Sequence, residues 1–195
     1  MLKKTLEKYS IILASGSPRR QQFLKDLQIP FTLKLFNVEE VYDPHLKREE
    51  ITAYLSKLKS QPFDTILKKN ELVITSDTIV WFDNKALGKP KNTQEAFQML
   101  KNLSGNVHEV ITSICFKTTK ATKVISDTTK VYFKAITDEE INFYIENFKP
   151  FDKAGSYGIQ EWIGYIAVEK IEGNYFNVMG LPVHKLYQFL KDISK

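Results

Sequence analysis

The stretch from Ile11 to Leu27 constrains the fold more than any other. An apolar run, Ile11-Ile12-Leu13, passes through Ala14-Ser15-Gly16 into a segment that opens with Ser17-Pro18 and continues through Gln21, Gln22, Phe23, Leu24 and Leu27. This reads as a strand turning directly into a helix. Ser17 suits the N-cap, and Pro18 suits the first helical position, where its missing N–H would be unpaired anyway. A strand feeding a helix in this way belongs to folds that lay helices on a sheet.

Arg19 and Arg20 are the odd residues in this segment. They fall in the first helical turn, where free N–H groups and the helix dipole already set up positive potential. Each therefore costs a few tenths of a kcal/mol, up to roughly 1. Backbone donors, hydroxyls and two guanidinium groups at one helix start make a site for an anion, most naturally a phosphate chain. The alternative is that the arginines face solvent or pair with carboxylates elsewhere.

The next informative run is Glu71 to Phe82, rich in β-branched and aromatic residues, which reads as a largely buried strand ending in a turn at Asp83-Asn84-Lys85. Asp77 lies in its middle. A carboxylate there costs several kcal/mol unless it is paired, hydrogen-bonded or metal-bound, which points to a metal ligand or general base, or to a structural carboxylate at a bulge. Ala86-Leu87-Gly88-Lys89-Pro90 follows and holds a lysine between two residues that restrict the backbone.

Other segments supply the frame. Phe31 to Phe36 reads as a strand, followed by an acidic loop carrying Glu39 and Glu40. Arg48 to Phe63 reads as an amphipathic helix with Ile51, Tyr54, Leu55 and Leu58 at helical spacing. Asn92 with Glu95 caps a helix through Leu103, and Val107–Phe116 and Ala121–Ala135 form a hairpin. Thr137 to Glu140 is a capping box for a further helix. Phe151 to Gln160 is a glycine-punctuated loop bearing an acid, a lysine and an amide. Ile163 to Ile171 reads as a strand and Leu181 to Leu190 as a last amphipathic helix. Interleaved strands and helices with a hairpin give an α/β fold around a mixed sheet. No repeat, low-complexity linker or composition break divides the 195 residues, so 1-195 is read as one domain.

Composition excludes several classes. With 43% hydrophobic and 26% charged residues the chain reads as an ordinary globular protein. A net charge of +5 and a pI near 9.1 suit an anionic ligand without separating a nucleotide from a nucleic acid. The one cysteine, Cys115, lies in an apolar run and reads as core filler, so no intramolecular disulfide forms and a reducing, cytoplasmic setting is expected. No apolar stretch approaches the length of about 18 residues needed to span a membrane. His45, His108 and His184 lack metal spacing, and Walker, dinucleotide-binding and nucleophile-elbow motifs are all absent. The chemistry must rest on carboxylates and basic groups, and a divalent metal is expected.

Leu13 to Arg20, Ser76-Asp77-Thr78-Ile79-Val80, Leu87 to Pro90, Met99 to Gly105 with His108, Asp152 to Gln160, and Gly173 to Pro182 together resemble the Maf-like nucleoside triphosphate pyrophosphatases. The likeness runs from about Ser10 to the final helix. It implies a mixed, twisted sheet with flanking helices and two lobes around a substrate cleft. It also implies hydrolysis of nucleoside triphosphates to a monophosphate and pyrophosphate, with Mg²⁺ or Mn²⁺ as cofactor.

By the same resemblance, Asp77 corresponds to the proton acceptor, and Arg19, Thr78 and Gln160 to positions that set base choice. Ser15, Arg20, Lys59 and Lys89 correspond to phosphate contacts, and Glu40 joins Asp77 as a metal ligand. Lys153 to Gln160 follows the pattern of the branch acting on dTTP and UTP, so pyrimidine nucleotides, including modified ones, are the expected substrates. Gln160 has the donor and acceptor groups to match the O4 and N3–H edge of uracil or thymine.

Two other readings remain open at this stage. One keeps the chemistry but moves it to another non-standard nucleotide such as 7-methyl-GTP. The other is a nucleotide- or nucleic-acid-binding regulator of cell division. No interleaving of aromatic and basic residues on a strand pair supports nucleic acid. A homodimer is compatible with the resemblance, and no hydrophobic stripe demands one.

Overall fold

The computed structural model describes residues 2–193. Helix α1 (Lys3–Lys8) leads into strand β1 (Ser10–Leu13), followed by α2 (Pro18–Asp26) and β2 (Phe31–Leu33). Next come α3 (Glu49–Leu58), a 3₁₀ turn at Gln61–Phe63, and the strands β3 (Glu71–Phe82) and β4 (Lys85–Leu87). Helix α4 (Thr93–Leu103), strands β5 (Val107–Lys117) and β6 (Thr122–Phe133), and helix α5 (Asp138–Phe148) continue the chain. A 3₁₀ turn at Ala154–Ser156 precedes α6 (Trp162–Ala167), β7 (Val168–Glu172), α7 (Tyr175–Val178) and α8 (Val183–Asp192).

The strands make a seven-stranded mixed sheet in the order β2-β1-β3-β5-β6-β7, with β4 on β3. Strand β1 runs parallel to both neighbours, Ile11 opposite Phe31 on one side and Leu72 on the other. The pairs β3–β4 and β6–β7 are antiparallel, with Val80 opposite Leu87 and Lys130 opposite Glu172. The expected α/β fold with a mixed sheet is the one observed. Among the described residues no helix is long and apolar enough to cross a membrane.

The chain divides into two compact units, each assembled from separated segments. The first takes the residues up to Asp77, Thr112–Asp127, and those from Gly180 onward. Its β1 and β3 bury Ile12 and Val73 against Phe63, and α2 buries Phe23 and Leu24. The second takes Thr78–Ile111 and Thr128–Met179. Its core joins Leu100 and Leu103 of α4 to Ile141 and Tyr144 of α5, Phe133 of β6 and Ile163 of α6.

Local chemistry explains the caps. The Asn92 side chain accepts the Glu95 N–H, and Thr137 and Glu140 form the reciprocal capping box. Asp83 and Asn84 both have positive φ, as a two-residue hairpin turn requires.

Several expectations need correction. The strand expected over Ile163 to Ile171 is helix α6 followed by the short strand β7. Its β-branched and aromatic residues suggest a strand, but Ile163 and Ala167, four apart, are the buried pair, and that spacing is helical. The strand at Phe31 ends at Leu33, because Thr32 and Leu33 are exposed and offer no burial to extend it. The long helix stops at Leu58 and continues as the 3₁₀ turn, with Ile51, Thr52, Leu55 and Ser56 buried and Tyr54 exposed. Ser17 holds the N-cap position of α2 without a side-chain cap hydrogen bond. Instead its N–H reaches Ser15 Oγ at 3.3 Å. Pro182 caps the final helix, which begins at Val183, one residue beyond it.

Candidate active site

The first unit gathers a charged cluster at the end of its part of β3. Asp77 is buried, at 7% exposure, where the pattern of a central strand calls for an apolar side chain. Lys59, at the C-terminal end of α3, places its ammonium 2.5 Å from Asp77 Oδ1 and 3.0 Å from Glu40 Oε2. The cation is thus bracketed by two carboxylates, one from the strand and one from the acidic loop after β2.

Burial pushes the Asp77 carboxyl above the usual carboxylate range. Lys59 opposes this through charge and hydrogen bond, Arg20 adds to the opposition, and Glu40 pushes the same way as burial. A carboxylate balanced in this way by burial and two nearby cations is suited to taking up a proton.

Arg20 is fastened from the other side. Its Nε donates to the Gly180 carbonyl at 2.8 Å, and Nη1 donates to the Ser76 carbonyl at 2.8 Å and to Ser15 Oγ at 3.3 Å. The guanidinium therefore grips the residue next to Asp77 and the start of the C-terminal segment. Burial pulls it down to about 10, Asp77 and Glu40 hold it up, and neighbouring Arg19 presses it down. Nothing in the sequence signals that the carbonyls of Ser76 and Gly180 complete this arrangement, because backbone acceptors leave no trace in composition.

Of the residues singled out above, Ser15, Arg20, Glu40, Lys59 and Asp77 come together in the first unit, and Arg19 sits partly buried on α2 beside Arg20. Thr78, Lys89 and Gln160 belong to the second unit: Thr78 on β3, Lys89 just after β4, and Gln160 ahead of α6. There, Gly155 donates its N–H to the Gly88 carbonyl at 3.0 Å, tying the glycine-rich loop to the residue before Lys89. His108 joins a buried aromatic group: its Nε2 lies 2.7 Å from Tyr157 OH, and Phe133 packs edge-on at 4.9 Å. Cys115 is fully buried, and burial raises its thiol, which fits the expected inert filler.

The donor set can be tested for a metal. Glu40 and Asp77 converge on one cation, the Lys59 ammonium, so both oxygens can face a common positive centre. All donors are oxygen, which suits a hard divalent ion that also binds water and phosphate oxygens. Among the described residues no group of three or more His, Cys, Asp or Glu side chains converges as a closed protein cage. An open pair of carboxylates matches the way Mg²⁺ is commonly held together with a phosphate substrate.

Known proteins resemble this chain over nearly its whole length. A protein of Flavobacterium johnsoniae named dTTP/UTP pyrophosphatase is 61% identical over 97% of this chain and 98% of its own length. Another of that name, from Christiangramia forsetii, is 56% identical over 99% and 98%. In solved structures, the Staphylococcus aureus Ham1 protein shares the fold, with a TM-score of 0.54 at 20% identity, covering 93% of this chain and 98% of that one. The sequence profile of the Maf-like protein family matches residues 10–193, which takes in Ser15, Arg20, Glu40, Lys59 and Asp77 and the glycine-rich loop alike. With that span and those relatives, the chain belongs to the Maf-like protein family.

Proposed function

We propose that this protein hydrolyses nucleoside triphosphates, dTTP and UTP foremost, to the monophosphate and pyrophosphate. The observation that carries the reading is the Lys59 ammonium held between Asp77 and Glu40, with the half-buried guanidinium of Arg20 near Asp77. Relatives named dTTP/UTP pyrophosphatase, 45–61% identical over nearly the whole chain, support the substrate class.

In this reaction water attacks the α phosphorus, the bond from that phosphorus to the bridging oxygen breaks, and pyrophosphate leaves with the bridging oxygen. Asp77 takes the proton from the attacking water, a role suited to a carboxyl that burial has made more basic. Lys59 and Lys89 meet the negative charge that develops on the leaving group. Ser15 contributes a hydroxyl at the turn, and Arg20 adds positive potential while its hydrogen bond to Ser76 fixes the backbone next to Asp77. Arg19 grips the substrate, and Thr78 and Gln160 read the base, Gln160 pairing its amide with the O4 and N3–H edge. Glu40 and Asp77 would hold Mg²⁺ or Mn²⁺. Such an ion, when bound, supplies charge neutralisation and polarises the phosphate.

The test is pyrophosphate release from a panel of canonical and modified nucleoside triphosphates with Mg²⁺ or Mn²⁺, run beside Asp77→Asn. Release from dTTP and UTP that disappears in the variant is the expected result. A folded protein silent across the panel overturns the reading.

A further inference from the structure

The loop that carries Gln160 is held by a polar network with no part in the reaction as described above. Lys153, with a side chain 8% exposed, places its ammonium 2.7 Å from Asp152 Oδ1 and 3.0 Å from Glu161 Oε1. The second oxygen of Glu161 accepts a hydrogen bond from the Tyr144 hydroxyl of α5. That hydroxyl accepts in turn from the N–H of Gly158 at 3.0 Å. One carboxylate thus ties together the first residues of the loop, the helix before it and, through the phenol, the middle of the loop. Burial, reinforced by the hydrogen bond to Glu161, pushes the Tyr144 hydroxyl far up, which keeps it a donor.

Steric constraints close the same segment. A Cβ on Gly158 would lie 2.8 Å from the carboxyl carbon of Glu161, and one on Gly155, at φ +67°, would lie 2.7 Å from Val80 Cγ2. From Gly155 to Ile159 every residue is buried, and Gln160 is the first that is not. Its own carbonyl accepts from Tyr165 OH at 3.1 Å. The amide side chain of Gln160 therefore leaves a backbone fixed on both sides.

The Lys153–Glu161 pair, with side chains 8% and 21% exposed, is a poor source of stability, since withdrawing the charges from water offsets much of their attraction. Fixing one geometry is the better-attested use of such a pair. We propose that Glu161, held between the Lys153 ammonium and the Tyr144 hydroxyl, is a positioning residue that sets the backbone from which Gln160 reads the nucleobase. The inference rests on the reading of Gln160 given above.

Gln160→Ala is measured first, for kcat and KM with dTTP, UTP, CTP, ATP and GTP. It is expected to reduce the preference for dTTP and UTP by about tenfold or more. Tyr144→Phe and Glu161→Gln, which keep the shape of the side chains, are expected to lose a comparable share of that preference through KM, with kcat within about twofold. The double variant Tyr144→Phe/Gln160→Ala is expected to be no less selective than Gln160→Ala alone, because both changes act on one contact. If Gln160→Ala changes the preference while Tyr144→Phe and Glu161→Gln leave it intact, or lower kcat equally for every nucleotide, the positioning role is overturned and the reading of Gln160 stands. An unchanged preference in Gln160→Ala overturns that reading and the inference with it.

Discussion

Lys59 Nζ lies 2.5 Å from Asp77 Oδ1, a contact between the C-terminal end of a helix and the middle of a buried strand eighteen residues further along the chain. Removing Lys59 leaves the Asp77 carboxylate with little water to screen it, whereas removing Asp77 leaves Lys59 paired with Glu40. Lys59→Met leaves the buried Asp77 carboxylate with Arg20 as a nearby cation but without its hydrogen-bonded partner, while Glu40 is half exposed, and is expected to cost about 1–3 kcal/mol. Asp77→Asn costs less, because a neutral amide remains hydrogen-bonding. The double variant is expected to be more stable than the sum of the two by about 0.5–3 kcal/mol, read by denaturant unfolding. Each single variant is also expected to lose pyrophosphate release by about a hundredfold or more. Strict additivity in stability would show that the pair is a surface contact without energetic coupling.

Two glycines give opposite expectations. A Cβ on Gly164 would sit 1.8 Å from the Ile159 carbonyl oxygen, whereas one on Gly88 meets nothing within 4 Å. Gly164→Ala must shift backbone and is expected to cost about 1–3 kcal/mol or more, lowering Tm by several degrees. Gly88→Ala is expected to leave Tm unchanged or slightly raised, through a less flexible unfolded chain. Matched thermal melts decide the point; equal shifts would contradict the close approach of α6 to the loop.

Acid stability is expected to depend on His108. Burial pulls its imidazole from 6.5 down to about 3, so the folded protein binds fewer protons than the unfolded chain between those values. The group's stabilising contribution is complete above about 6.5 and is lost as pH falls towards about 3, with a slope of up to about 1.4 kcal/mol per pH unit. His108→Gln is expected to flatten that slope relative to wild type in denaturant melts between neutral pH and pH about 4. A parallel fall in both proteins would mean that other groups govern acid unfolding.

Segments whose local chemistry and burial agree are legible in the sequence. The Asn92 and Thr137 caps, the 107–133 hairpin and the buried strand through Asp77 all follow from residues close together in sequence. Helix α6 was not legible, because its residues favour a strand and only the burial of Ile163 and Ala167 makes it helical. At the site, the types of charge were readable while their partners were not. Nothing local to Arg20 tells that its guanidinium rests on the carbonyls of Ser76 and Gly180. The Tyr144–Glu161 contact likewise joins side chains seventeen positions apart, which no helical or strand spacing brings together.

The hydrogen bond from Arg20 to the Gly180 carbonyl also bears on how the protein emerges from the ribosome. The first unit draws on residues up to Asp77 and again on those from Gly180 onward, whereas the second unit is complete at Met179. During synthesis the second unit has all its residues while the first still lacks α8 and the acceptor that anchors Arg20. A chain truncated before Gly180 therefore retains every candidate site residue without the carbonyl that anchors Arg20.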